Sequence, residues 1–244
     1  MITEAVDCTI ERRLLVNYRI KPEFVVPLLP EPFHPQLVNG YAVGGVCFLR
    51  LGQTRPTGMP RVLGLTTENV AHRFAVEWDT DEGMRVGVFV PRRETDSRIA
   101  SLAGGRVFPG RYDLARFRVE ESEGRVHIEV RSSDSQVHLA VDAAPADDMQ
   151  GELFRSVDEA TEFFRHGAVG FSPSAVGNCL DGVRLESPSW AASPMAIEHM
   201  ESSLFDNVAL FPCGVCILDS ALVMRDLRVR WLTTPSLQVL PQAS

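Results

Sequence analysis

The sequence predicts an α+β fold that is mainly antiparallel β, a curled sheet or barrel with a few peripheral helices. The main observation is apolar alternation at period two, which is typical of half-buried strands. It is clearest in residues 117–141, where three alternating runs are separated by the turn sequences ESEG and SSDS. Many strands that follow one another with few helices between them favour a curled antiparallel sheet over a doubly wound fold.

Further strands are predicted near residues 10–19, 41–51, 66–79, 85–91, 195–204 and 221–231. Segment 167–194 has the weakest periodicity, and no strand is predicted there, although Phe171 and Trp190 indicate that it packs onto the rest. No internal repeat or long linker divides the chain of 244 residues, so residues 1–244 are expected to form one domain.

Three helices are predicted. The first is KPEFVVPLLP, because Pro22 suits a first helical turn. The second is SVDEATEFFRHG, where Ser156 and Glu159 have capping-box spacing. The third lies in DSRIASLAGG, after a strand that Pro91 is expected to end, with Thr95 or Asp96 as its N-cap.

The composition excludes several classes of partner and site. The net charge of −8 argues against nonspecific binding to nucleic acid or to an anionic membrane. The first residues lack the pattern of a signal peptide, and the longest apolar tract falls short of a membrane span, so a cytoplasmic location is expected. The sequence leaves open whether the chain forms a homo-oligomer.

The five cysteines are irregularly spaced, which favours reduced thiols over a disulfide framework. Cys213 and Cys216 have C-x-x-C spacing, but an extended segment follows instead of a helix, so buried side chains are favoured over a redox pair. No metal-ligand spacing, phosphate-binding loop or serine-nucleophile motif is present. No metal or cofactor is therefore expected.

Two titratable residues fall on one face of the strand TTENVAHRFAVEW, Glu68 and His72, together with Val70, Phe74 and Val76. They are candidate catalytic acid/base residues facing the interior of a closed sheet. The alternative is a structural pair, in which a core histidine bonds to the glutamate.

Charged residues cluster at the predicted strand-to-helix corner PRRETDSR and in GGRVFPGRY. Arginine suits a carboxylate ligand because its planar guanidinium can donate two parallel hydrogen bonds. The alternative is that these residues form ion pairs with one another. The candidate ligand-binding residues are Arg92, Arg93, Asp96, Arg98, Arg106 and Arg111.

Several stretches resemble the uncharacterised YqjF-like proteins, a domain-of-unknown-function family: RLLVNYRIKPEFVVPLLPEPF, GLTTENVAHRFAVEW, GVFVPRRETDSRIASLAGGRVFPG and FFRHGAVGFSPS. That family is similar in turn to the acetoacetate decarboxylase superfamily. The resemblance implies a curled antiparallel barrel around a central pocket, and places Glu68 where that superfamily carries a pocket glutamate.

Acetoacetate decarboxylase uses a Schiff-base lysine. The resemblance implies that VFPGR aligns with the segment that carries this lysine. Gly110 then occupies the nucleophile position and Arg111 its neighbour, whereas Lys21 is the chain's single lysine and lies far away in sequence. Arginine cannot form the imine. We therefore expect a pocket for a small oxo-acid or another carbonyl or carboxylate compound. The protein would be an enolisation, aldol or dehydration enzyme without a Schiff-base lysine or, alternatively, a noncatalytic binding protein.

Overall fold

The computed structural model describes residues 4–105, 109–175 and 178–239. Within these ranges thirteen strands join one sheet. The strands are β1 (Ala5–Ile20), β2 (His34–Pro35), β3 (Leu37–Val38), β4 (Tyr41–Pro56), β5 (Leu65–Thr80), β6 (Gly83–Thr95), β7 (Asp113–Ser122), β8 (Arg125–Ser132), β9 (His138–Pro145), β10 (Val169–Pro173), β11 (Cys179–Glu186), β12 (Ser193–Ser202) and β13 (Cys216–Gln238). The helices are α1 (Pro22–Val25), α2 (Arg98–Ala103) and α3 (Val157–His166), with 3₁₀ turns at Val26–Leu28 and Arg61–Leu63.

The sheet closes on itself twice. A large ring runs β6–β7–β8–β9–β12–β13–β1–β4–β5 and returns to β6. A small ring runs β6–β10–β11–β13–β1–β4–β5 and also returns to β6. The two rings share the wall β13–β1–β4–β5–β6, so alternate side chains of these five strands face different interiors.

The two interiors differ in how they are filled. The large ring holds most of a hydrophobic core that includes Leu14, Phe48, Phe74, Ile128 and Leu139. A second apolar cluster lies on the other face of the shared strands and extends to α3 through Phe164. No helix among the described residues is long and apolar enough to cross a membrane.

The predicted α+β fold with a curled sheet is confirmed, and so are the meander β7–β8–β9 and the three helices. Ser156 caps α3, since its Oγ accepts a hydrogen bond from the Glu159 N–H at 3.1 Å. Two strands were missed in segment 167–194: β10 and β11, which are short and complete the small ring.

The prediction that Pro91 ends its strand is wrong. β6 continues to Thr95, and its pairing with β5 shifts register between His72 and Phe74, where a bulge accommodates Val90 and Pro91. A bulge tolerates proline because the extra residue leaves the ladder of hydrogen bonds. The cap of α2 is Ser97 instead of Thr95 or Asp96, and its Oγ accepts from the Ala100 N–H.

Candidate functional site

A cavity of about 350 Å³ lies inside the small ring. Every strand of that ring contributes lining residues, and most of these residues are apolar. Of the lining residues, Leu65 and Ile99 are exposed, whereas Phe164 of α3 is buried and lies beside Arg73. The volume and the apolar lining are those of a small-molecule pocket.

Four arginines line this mostly apolar cavity: Arg13 of β1, Arg55 of β4, Arg73 of β5 and Arg93 of β6. Arg55 donates to the backbone carbonyls of Gln53 and Met59, which leaves the other three. A bulge precedes two of them. β1 shifts register between Ile10 and Arg12, and β6 shifts before Arg92. Each bulge reverses the alternation of the strand, and thereby turns Arg13 and Arg93 towards the cavity.

Arg73 is 4% exposed, and no carboxylate of the described chain pairs with it. Its Nη2 donates to the side-chain oxygen of Asn17, and its guanidinium lies 4.5 Å from the ring centre of Phe164. Nε and Nη1 of Arg73 have no hydrogen-bond acceptor in the described part of the chain. Burial lowers the pKa of Arg73 to about 10, so the group remains a cation at neutral pH.

Arg13 and Arg93 resemble Arg73: each guanidinium lies near an aromatic ring, and neither forms an ion pair with a carboxylate of the described residues. Arg13 lies 5.5 Å from the ring centre of Trp190, and its Nε and Nη1 have no acceptor. Arg93, 9% exposed, lies 5.5 Å from the ring centre of Tyr112 and donates to its hydroxyl at 3.5 Å. The three guanidiniums thus bring positive charge that the described chain does not neutralise.

Gly110 lies directly beside Arg93. A Cβ on Gly110 would come within 2.5 Å of Nη1 of Arg93 and 3.0 Å of Oγ of Ser172, and its φ of +92° suits glycine. The buried Ser172 hydroxyl has no hydrogen-bond partner. The guanidinium of Arg93 therefore fills the space that a side chain at position 110 would enter.

Glu68 and His72 share the face that the sequence predicted, with Val70, Phe74 and Val76, which belong to the core of the large ring. Val70 also reaches the cavity lining, but neither Glu68 nor His72 does. Glu68, 5% exposed, accepts hydrogen bonds from Arg12 at 2.5 Å and from Arg50 at 2.8 Å. Both of its oxygens are thus occupied by guanidinium groups, the arrangement of a structural ion pair.

His72 lies in the large ring with its ring centre 6.2 Å from that of Phe205. Burial, with a smaller contribution from Arg92, lowers the pKa of His72 to about 4, so the imidazole is neutral at neutral pH. Its Nε2 has no hydrogen-bond partner. The predicted hydrogen bond between His72 and Glu68 is absent from the described contacts.

Arg92 also belongs to the large-ring side. It pairs with Glu94 at 2.5 Å and with Asp134 at 2.7 Å. Burial raises the pKa of Glu94 to about 7, although the hydrogen bond from Arg92 acts in the opposite direction. The ion-pair alternative thus describes Arg92, whereas Arg93 faces the cavity.

The remaining candidates lie outside the cavity lining. Asp96 accepts the backbone N–H of Glu68 at 3.1 Å, and Arg98 is the exposed first residue of α2. The Arg111 side chain is 71% exposed and pairs with Asp113, so it does not bring a positive charge into the cavity. Arg106 lies outside the described residues.

All five cysteines are free thiols. Cys213 is exposed, which contradicts its interpretation as a buried side chain, whereas burial raises the pKa of Cys216 to about 12. Cys47 is buried and lines the cavity. No group of three metal-ligating side chains occurs in the described part of the chain.

Sequence reasoning missed Arg13 and Arg73. Arg73 lies on the odd-numbered face of β5, opposite the face that carries Glu68 and His72. An arginine inside a predicted buried strand was the available signal, because buried arginines normally have a carboxylate partner.

The model of the DUF2071 family, described as an uncharacterized conserved protein, matches residues 8–215. The chain belongs to the DUF2071 family. This confirms the resemblance found in the sequence. No curated protein matches this DUF2071 member significantly in sequence.

Solved structures share the fold of this DUF2071 chain at low identity. Acetoacetate decarboxylase from Legionella pneumophila is 13% identical with a TM-score of 0.58, over 98% of this chain and 88% of that chain. The enduracididine biosynthesis enzyme MppR complexed with pyruvate is 12% identical with a TM-score of 0.60, over 100% and 93%. An acetoacetate decarboxylase-like enzyme from Sphingomonas wittichii RW1 is 15% identical with a TM-score of 0.54, over 98% and 94%. These similarities show an acetoacetate decarboxylase-like fold.

Proposed function

We propose that the protein binds a small carboxylate with an apolar body in the cavity of the small ring. The observation that carries this proposal is that three of the four cavity arginines, Arg13, Arg73 and Arg93, rest against aromatic rings without a carboxylate partner among the described residues. An uncompensated buried charge costs several kcal/mol, on the order of 3–5 when its partner is removed. A bound anion would recover that cost.

The geometry of the donors favours a carboxylate. Unpaired N–H groups remain on Arg13 and Arg73, and a planar guanidinium matches the two oxygens of a carboxylate. Apolar side chains such as Val88, Val90 and Val183 line the remaining wall. They would hold a hydrocarbon or carbonyl portion of the ligand. MppR, which has the same fold, is named as a complex with pyruvate, a small carboxylate.

Noncatalytic binding is favoured over the enolisation, aldol or dehydration enzyme. Those reactions need an acid or base beside the ligand. No aspartate, glutamate, histidine or lysine occurs in the described lining of the cavity, where the titratable side chains besides the arginines are those of Cys47 and Tyr112. Neither Glu68 nor His72 is among the lining residues. A proton-exchange assay separates the two functions: 2-oxobutyrate incubated with the protein in D₂O should show no C3 deuteration above the buffer rate.

Thermal shift with matched ligands tests the binding proposal. Carboxylates of two to eight carbons are compared with the corresponding amides, which keep the shape but lack the charge. A carboxylate at about 100 times its Kd should stabilise the protein by about 2.7 kcal/mol, and its amide should not. No shift with any carboxylate, or equal shifts with the amides, would contradict the proposal.

Two arginine variants provide the matched comparison. Arg93→Met removes a cavity guanidinium, whereas Arg111→Met removes one that is exposed and paired outside the cavity. Both lower the net charge equally. The ligand-induced shift should fall in Arg93→Met and persist in Arg111→Met, and a shift of equal size in both variants would place the ligand elsewhere.

A further inference from the structure

The cavity contains one thiol that the proposed binding function does not use. Cys47 of β4 is 5% exposed and lines the cavity. In the sheet it pairs with Ala71, which pairs on its other side with Arg93. Cys47, Ala71 and Arg93 therefore form a row across three strands, and the small Ala71 side chain separates the thiol from the guanidinium.

A second guanidinium lies on the same face. Arg73 pairs with Gly45, and a Cβ on Gly45 would lie 3.1 Å from Nη2 of Arg73. The Arg73 side chain thus covers Gly45, which is two residues from Cys47 along the strand, a separation of about 7 Å. Unpartnered Nε and Nη1 of Arg73 line the same cavity.

This environment draws anionic reagents to the thiol. Arg73 and Arg93 line the same cavity as Cys47, and the described lining contains no carboxylate to compete for them. A carboxylate held by the arginines would also be oriented close to the sulfur, which accelerates a reaction between them.

We infer that Cys47 is a covalent modification site for carboxylates that carry an electrophilic carbon, such as α,β-unsaturated acids. The inference rests on the proposed carboxylate site. The sulfur forms a bond to the β carbon, the π electrons of the double bond move to the α carbon, and the thiol proton is transferred there. The addition needs no oxidant, reductant or further reactant.

Charge-selective alkylation of the folded protein tests this inference. Iodoacetate and iodoacetamide differ in charge and little in size. With either, the sulfur bonds to carbon, iodide leaves with the bonding electrons, and the thiol proton goes to solvent. Mass spectrometry of the Cys47 peptide should show iodoacetate reacting about tenfold faster than iodoacetamide, the effect of a positively charged cleft. The exposed Cys213 provides an internal control and should lack this preference.

Arginine variants locate the origin of the preference. Arg73→Met should abolish it at Cys47, and Arg13→Met gives a second test if the first variant does not fold. Arg118→Met removes an exposed arginine paired with Glu120, outside the cavity, and should preserve it. Far-UV circular dichroism and the melting temperature identify variants that remain folded.

The outcomes separate this inference from the proposed function. Hexanoate should protect Cys47 from iodoacetate if both hold. Stabilisation by hexanoate without labelling of Cys47, or labelling with the preference of Cys213, would overturn the thiol inference and leave the binding proposal intact. No stabilisation and no charge preference would overturn both.

Discussion

Glu68 and Arg73 lie five residues apart on β5 and carry opposite charges, yet the residues that the structure describes neutralise only Glu68. Glu68 faces the large ring and contacts two guanidiniums. Arg73 faces the cavity, has an amide and an aromatic ring as neighbours, and retains unpaired donors. A buried charge with full compensation indicates a structural role, whereas one without compensation indicates a missing partner.

Glu68→Gln should therefore destabilise the protein without preventing carboxylate binding. The substitution leaves Arg12 buried without full charge compensation and should lower the free energy of unfolding by about 3 kcal/mol. Urea denaturation measures the loss. Glu120→Gln, at an exposed pair with Arg118, is the control and should change stability by less than about 0.5 kcal/mol. Loss of the ligand-induced shift in folded Glu68→Gln would instead place Glu68 in contact with the ligand.

Glu94 should make stability fall as the pH rises. Burial raises the pKa of Glu94 from 4.5 to about 7. Between these values the folded state holds a proton that the unfolded state releases, so its stabilising contribution is full below pH 4.5 and is lost as pH rises through about 7. The shift corresponds to on the order of 3 kcal/mol.

The test compares wild type with Glu94→Gln, which cannot ionise. Denaturant unfolding from pH 4.5 to 7.5 should show wild type losing stability relative to the variant with increasing pH. Parallel pH profiles for the two proteins would mean that the pair with Arg92 keeps Glu94 ionised throughout.

At the level of elements, bulges decide which residues form the site. Before the bulge in β6, Val88 and Val90 line the cavity; after it, Arg93 does so and Arg92 contacts Glu94 instead. Strict alternation from Val88 would have placed Arg92 in the cavity. One extra residue thus exchanges the positions of two neighbouring arginines.

The sequence predicted the strands well because period-two alternation is a local property, as β7, β8 and β9 show. It could not predict the bulge at Pro91, because a proline in a strand sequence is compatible both with a bulge and with the end of the strand. The short strands β10 and β11 lacked clear alternation and were missed. The absence of a carboxylate near Arg73 depends on contacts between distant strands, which no local pattern reports.

The cap of α3 should influence the part of the cavity that Phe164 of this helix lines. Ser156→Ala removes the acceptor for the Glu159 N–H and should cost about 1 kcal/mol of stability. Because Phe164 of this helix covers Arg73, hydrogen exchange in Val157–His166 should accelerate in the variant. Thr161→Ala, away from the cap, is the control. Unchanged exchange in Ser156→Ala would mean that tertiary packing alone fixes the helix.

At the scale of the whole molecule, the two rings share five strands and so cannot be separated without breaking both. Strand β1 is paired along nearly its full length with β13 on one side and with β4 on the other. Opening this wall would expose the core of the large ring and the cavity of the small ring together. We therefore expect the rings to unfold as one unit.

Single-tryptophan variants test this expectation and with it the prediction of one domain. Trp78 packs in the core of the large ring, and Trp231 lines the cavity. A variant that retains only Trp78 and one that retains only Trp231, with phenylalanine at the other positions, report on the two rings separately. Each fluorescence midpoint should coincide with the circular dichroism midpoint of the same variant. Two distinct transitions in either variant would indicate independently stable units.

The shared wall also determines where related chains are free to diverge. Strands β7, β8 and β9 serve the large ring alone, and substitutions on their inner faces can change that core without altering the cavity. Strands β1, β4 and β5 have no such freedom. On one face of each strand the side chains must pack in the core of the large ring, and on the other face they must fit the ligand in the cavity. A change of ligand during evolution would therefore require substitutions at cavity-facing positions. The adjacent residues in the same strands are constrained by packing in the core of the large ring.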